Sequence, residues 1–169
     1  MHYQRKWTDI LEHIFRDNFR SENVKNYLVF LLILAVIFSL VAIRGSFILA
    51  PPYAVSAYLV VFQRNTKYSS RESLIATYAI VILSSDAFHF LLGESLIGMI
   101  LNVLIVSAFV TFTDLTHPPA IALTIFSYIA GDPLDFTISS GLSLLALLAA
   151  SLIIENVSVS EWSRHLRES

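Results

Sequence analysis

The chain predicts an all-α transmembrane protein of six short helical segments, arranged as two inverted three-helix repeats, with two of the segments broken by Pro-Pro. Three observations carry this expectation. Of the 169 residues, 56% are hydrophobic and only 14% charged, where a soluble domain has roughly a quarter charged residues. Apolar runs at 27–43, 46–62, 73–92, 96–113, 118–130 and 137–154 fill most of the length, and a membrane span needs about 17 to 25 such residues. Pro51 and Pro118 stand 67 residues apart, and the same shift carries the run at 27–43 onto 94–110 and the run at 73–92 onto 140–159. Each half then reads helix, Pro-Pro segment, helix. The repeats 27–92 and 94–155 together make a transmembrane domain over 27–155, followed by a cytoplasmic tail at 156–169.

Residues 1–26 place Trp7, Ile10, Leu11, Ile14, Phe15 and Phe19 three and four apart, with Arg5, Lys6, Glu12, Arg16, Asp17 and Arg20 mostly between them. An apolar stripe backed by charge is the pattern of a helix lying in the membrane interface. Its expected role is a cytoplasmic anchor, or a docking site for a soluble partner. Four acids in this segment fit neither a cleaved signal peptide nor a transit peptide, so the mature chain is expected to begin at or near Met1.

The run at 27–43 is uninterrupted, and Arg44-Gly45-Ser46 closes it. In the next run Pro51-Pro52 interrupts the helix, because proline lacks an N–H and disfavours helix in the residue before it. Small residues follow at Ala54, Ser56 and Ala57, and these let backbones or a solute approach closely. Leu115-Thr116-His117-Pro118-Pro119-Ala120 is the second break, and helix can restart at once because proline suits the first helical position. Gly131-Asp132-Pro133-Leu134-Asp135 reads as a turn before the last span.

Cation counting decides whether the Pro-Pro segments cross. With six crossings and a cytoplasmic N-terminus, ten of the eleven Lys and Arg lie inside and only Arg44 outside, as the positive-inside rule favours. Three crossings per half make the halves run in opposite directions. Such inverted repeats place a permeant site near the midplane, where broken helices present their ends. Each restarted helix would aim free N–H groups and about half a positive charge inward, which suits a small inorganic anion.

The candidate permeant-binding or gating residues are His117, Pro118, Pro119 and Thr124 from the second break, with Pro51, Pro52 and Ser56 from the first. His117 either meets the permeant or bonds backbone freed by the prolines. The hydroxyls of Ser56 and Thr124 either face the permeant or bond back to their own helices. Asp86 and His89 share a helical face, as an ion pair first and a proton relay or cation site second. Arg71 and Arg64 are inside-positive anchors or the lining of a cytoplasmic vestibule. A net charge of −2 argues against nucleic acid as a partner. The absence of cysteine removes disulfides and thiolate metal sites. No phosphate-cradling Gly loop, Ser nucleophile motif or zinc-hydrolase His/Glu spacing occurs, so neither an enzyme nor a cofactor is expected.

His117-Pro118-Pro119-Ala120, directly after a long apolar helix, resembles the motif that names the HPP family of integral membrane proteins. Pro52-Tyr53-Ala54-Val55-Ser56-Ala57-Tyr58-Leu59-Val60-Val61-Phe62 resembles its earlier Pro-x-Gly-Ala-Ser-x-x-Leu-x-Phe element, and Arg71 falls roughly where the family has an Arg. The likeness covers about 45–155. Ala54 and Ile121 stand where the family has glycine, and the family's Gly-Gly-His has no counterpart near Ile75-Ala76-Thr77. Members are described as four-span candidate transporters, and plant and cyanobacterial relatives are assigned to nitrite transport. The resemblance therefore implies a transporter or channel for a small monovalent anion such as nitrite. It is expected to work as a homo-oligomer in the lipid bilayer of a prokaryotic plasma membrane, with both termini cytoplasmic. The competing expectation is a non-transporting scaffold or sensor that binds a soluble partner through the N-terminal helix.

Overall fold

The computed structural model describes the backbone of residues 21–168 and the side chains of residues 23–155. The described chain has six α-helices, α1 (Ser21–Ile43), α2 (Ala50–Phe62), α3 (Arg71–Leu92), α4 (Leu96–Phe112), α5 (Pro119–Ile129) and α6 (Pro133–Glu168), with single 3-10 turns at Phe47–Leu49 and Lys67–Ser69. No strand occurs among the described residues. Of the interfacial segment expected over 1–26, residues 1–20 lie outside the described residues, and so does the scaffold reading that depends on them. Residues 21–26 form the first turns of α1 rather than a separate segment.

Helix boundaries follow local chemistry. The Ser70 and Ser95 side chains accept the amides of Ser73 (3.2 Å) and Gly98 (3.1 Å), capping α3 and α4. These hydroxyls satisfy donors that have no intrahelical partner. Gly93 ends α3 at φ +63°, a left-handed conformation that glycine adopts without a Cβ penalty. α6 begins at Pro133, four residues earlier than the apolar run at 137–154 implies. Asp132 accepts the Leu134 amide at 2.9 Å, and Pro133 sits where its missing N–H costs nothing. The backbone of α6 continues to Glu168 instead of ending before a tail at 156.

Contacts define two ends of the bundle. At one, Arg44 pairs with Asp135, and a side chain at Gly131 would meet Glu94. At the other, the Tyr68 carbonyl meets His117, and Arg71 pairs with Glu155. Each helix from α2 to α5 therefore runs from one end to the other, and α2 and α5 lie against each other in opposite directions. α6 packs on α1, α2 and α3, while α5 packs on α2, α3 and α4.

Among the described residues, three helices are long and apolar enough to cross a membrane: Asn23–Ile43, Arg71–Leu92 and Pro133–Glu155. The three segments between them are shorter. α5 has 11 residues, about 16 Å of helix at 1.5 Å per residue. The outward faces of the long helices remain apolar, with Leu28, Leu32, Leu83 and Leu145 exposed. Hydrocarbon facing outward from a core that is itself partly polar is the signature of a chain solvated by lipid. That core holds Ile37, Leu49, Tyr53, Leu74, Leu123, Phe136 and Leu147, together with buried Ser56, Thr77, Ser85, Asn102, His117, Thr124, Ser127 and Ser140.

Candidate functional site

His117 sits in the connection between α4 and α5, fully buried. Its Nδ1 is 2.6 Å from the Tyr68 carbonyl. A carbonyl only accepts, so Nδ1 carries the proton, and in the neutral ring Nε2 is left as an acceptor. The Ser56 hydroxyl lies 2.8 Å from that Nε2 and receives the Tyr78 hydroxyl at 3.1 Å. One imidazole thus ties together the middle of α2, the connection before α3 and the start of α5. Beside it, Tyr53 and Ser140 share a hydrogen bond of 2.8 Å, and the Tyr53 and Tyr78 rings stack with centroids 6.4 Å apart.

Two sequence expectations change here. The helix starts do not offer free amides: Ala50 donates to Phe47, Ala120 to His117 and Ile121 to Pro118. Prolines 51, 52, 118 and 119 contribute no donor at all. Of the two hydroxyls, Thr124 follows the self-bonded alternative, whereas the single proton of Ser56 goes to the His117 Nε2 acceptor. Ser56 also lies 3.1 Å from the Pro52 carbonyl, and Thr124 donates to Ala120 at 3.0 Å. Pro51, Pro52, Pro118 and Pro119 all line one cavity of about 500 Å³ along α2 and α5, which the two pairs reach from opposite ends because the helices run in opposite directions. Its other walls are mostly hydrocarbon, from Val55, Leu59, Ala122 and Phe126, with Gln63 and Tyr68 the polar exceptions. His117, Ser56 and Thr124 stand behind that wall and do not line it.

A family model described as HPP, transmembrane region, matches residues 21–164. The chain belongs to the HPP family. No curated protein and no solved structure matches it at a significant level. Together with the apolar helices, the match identifies an integral membrane protein.

The remaining candidates in this HPP protein fall at opposite ends. Arg64 and Arg71 line a cavity of about 470 Å³ at the Tyr68 end, with Glu72 and Glu155 in the same wall. This lining is of mixed sign, and Arg71 is paired with Glu155. Asp86 and His89 lie toward the other end and are not paired with each other. Asp86 receives the Thr137 hydroxyl, 2.8 and 2.9 Å from its two oxygens. His89 donates from Nδ1 to the Ser85 carbonyl at 2.7 Å and stacks on Tyr128 at 4.2 Å. The residues share a face, as their spacing implies, but each finds a partner elsewhere.

Sequence reasoning missed Tyr53, Tyr78, Asn102, Ser127 and Ser140 as members of the polar core. Asn102 was the readable one, a lone amide inside an otherwise apolar helix. It donates to Ser85 at 3.0 Å, and Ser85 also receives Ser127 at 3.1 Å. The tyrosines gave no such signal, because a tyrosine in an apolar run serves equally well as an interfacial ring.

Proposed function

We propose that this HPP protein is a gated transporter or channel for a small monovalent anion, with nitrite as the first candidate, in a closed state. The observation that carries the reading is His117 itself: a fully buried ring, bonded through both nitrogens, that joins two oppositely directed half-length helices. Such a ring acts as a latch, because passage between α2 and α5 requires its two bonds to separate together. The dipoles of α2 and α5 favour negative charge at their starts even with the amides engaged, and Arg64 and Arg71 stand at the mouth near Tyr68. The opposed directions of α2 and α5 support the inverted repeat, with the α2–α3 connection cytoplasmic. Homo-oligomerisation is part of the proposal: α2 and α5 are too short to fill about 30 Å of hydrocarbon, and non-helical backbone at that depth needs protein or water to cover it.

Purified protein in liposomes loaded with a nitrite-sensitive reporter tests this. The wild type admits nitrite, and Ser56→Ala raises the basal rate about fivefold, because the closed state loses a bond worth about 1 kcal/mol. No entry of nitrite, nitrate or chloride with the wild type overturns the reading. Accessibility tags at Lys67 and Asp135 report on opposite sides of the membrane, with Lys67 cytoplasmic; tags on one side remove the inverted repeat.

A further inference from the structure

A second polar site lies at the far end of α3 from Arg71, and its chemistry is opposite in sign to the proposed anion path. Asp86 stands six residues before the end of α3, about 9 Å into the helix. Among the described residues no cationic side chain pairs with it, and its one partner is the Thr137 hydroxyl. A single hydroxyl proton shared by two carboxylate oxygens leaves most of the lone pairs open. Asp86 and Thr137 line a cavity of about 380 Å³ together with His89, Phe90, Pro133 and Leu134.

His89 is 9% exposed, and its Nε2 is buried without a hydrogen-bond partner. Because Nδ1 donates to the Ser85 carbonyl, Nε2 presents a lone pair in the neutral ring. The residues lining the cavity thus include a carboxylate and an imidazole with an open lone pair, both acceptors. Arg44, at the same end of the bundle, is already engaged by Asp135. Leaving a carboxylate uncompensated among apolar helices is costly, so an acceptor-rich pocket of this kind calls for a cation.

We propose that this cavity binds a small monovalent cation that donates N–H hydrogen bonds, of the class of ammonium and methylammonium. Two features select the class. The described residues contain no group of three His, Cys, Asp or Glu that could hold a metal ion. An imidazole lone pair accepts N–H well, whereas hard alkali cations take oxygen ligands. The ammonium charge faces the Asp86 carboxylate, and one N–H reaches His89 Nε2. The proposal stands apart from anion transport, since it concerns the other end of the bundle and its readout is binding.

The test is thermal unfolding of the full-length protein in detergent at fixed pH and ionic strength, with ammonium, sodium or potassium chloride. Ammonium raises the Tm saturably, on the order of 3 °C at tenfold excess over its Kd, and sodium and potassium do not. The shift is lost in Asp86→Asn and, independently, in His89→Gln, so failure of one variant to fold leaves the other. Equal shifts with all three salts overturn the proposal, as does an ammonium shift that survives both substitutions. A Tm that follows pH but ignores ammonium at fixed pH assigns the pocket to a proton and overturns it as well.

Discussion

The molecule buries two histidines in its described core, and they are held in opposite ways. His117 spends both ring nitrogens, one on the Tyr68 carbonyl and one on the Ser56 hydroxyl. His89 spends one, on the carbonyl a turn back in its own helix, and keeps the other unpartnered. A ring with both nitrogens engaged by separate chain segments serves cohesion, and its loss breaks two ties at once. A ring with a buried lone pair at a cavity wall has an unmet hydrogen-bonding demand, which a ligand can meet. The same residue type at similar burial therefore does different work, and the difference lies in how many segments each ring joins.

The largest test of that contrast is His117→Ala. It removes the Tyr68 carbonyl's partner, breaks the tie to Ser56 and opens a cavity, so it is expected to cost about 3 to 5 kcal/mol of unfolding free energy, read from denaturant titration in mixed micelles. His89→Ala removes one bond and a ring stack and is expected to cost about 1 to 3 kcal/mol in the same titration. Equal losses would erase the distinction between latch and pocket. Tyr78→Phe sharpens the picture at the His117 end. It keeps the ring against His117 and Tyr53 but removes the bond to Ser56, for an expected loss of about 1 kcal/mol; a larger loss would make the hydroxyl chain, rather than the imidazole, the main tie. Arg44→Gln, at the His89 end, is the smallest. Both members of the Arg44–Asp135 pair are about one-third exposed, and such pairs are worth about 0 to 1 kcal/mol. A Tm drop beyond a few degrees would mean that this pair, not helix packing, holds that end closed.

The six helical segments and their order were legible because hydrocarbon solvent imposes a coarse requirement: long apolar runs bounded by glycine, charge or proline. The HPP motif was legible for a different reason, since it is a local string that needs no tertiary context. His117, both Pro-Pro pairs and the Asp86–His89 face were all visible from spacing. Their partners were not. Spacing put Asp86 and His89 within reach of each other, yet Thr137 on α6 and Ser85 one turn back took them first. The start of α6 was misread because the apolar pattern outweighed Asp132-Pro133, a cap and first-turn proline that satisfy the helix end without any hydrophobic residue. The free amides expected at the restarted helices were consumed by tight local bonds to Phe47, His117 and Pro118.

By itself, then, the sequence determined that this is a helical membrane protein of the HPP type, with two broken segments and few polar residues to account for. Only the tertiary structure decided which polar groups meet, that α2 and α5 run in opposite directions past one buried imidazole, and that a second imidazole keeps an unpartnered nitrogen beside a carboxylate. The physical reason is range. Hydropathy and proline geometry act within a few residues and can be read along the chain, whereas a hydrogen bond between residues 56 and 117 exists only once helices distant in sequence have packed.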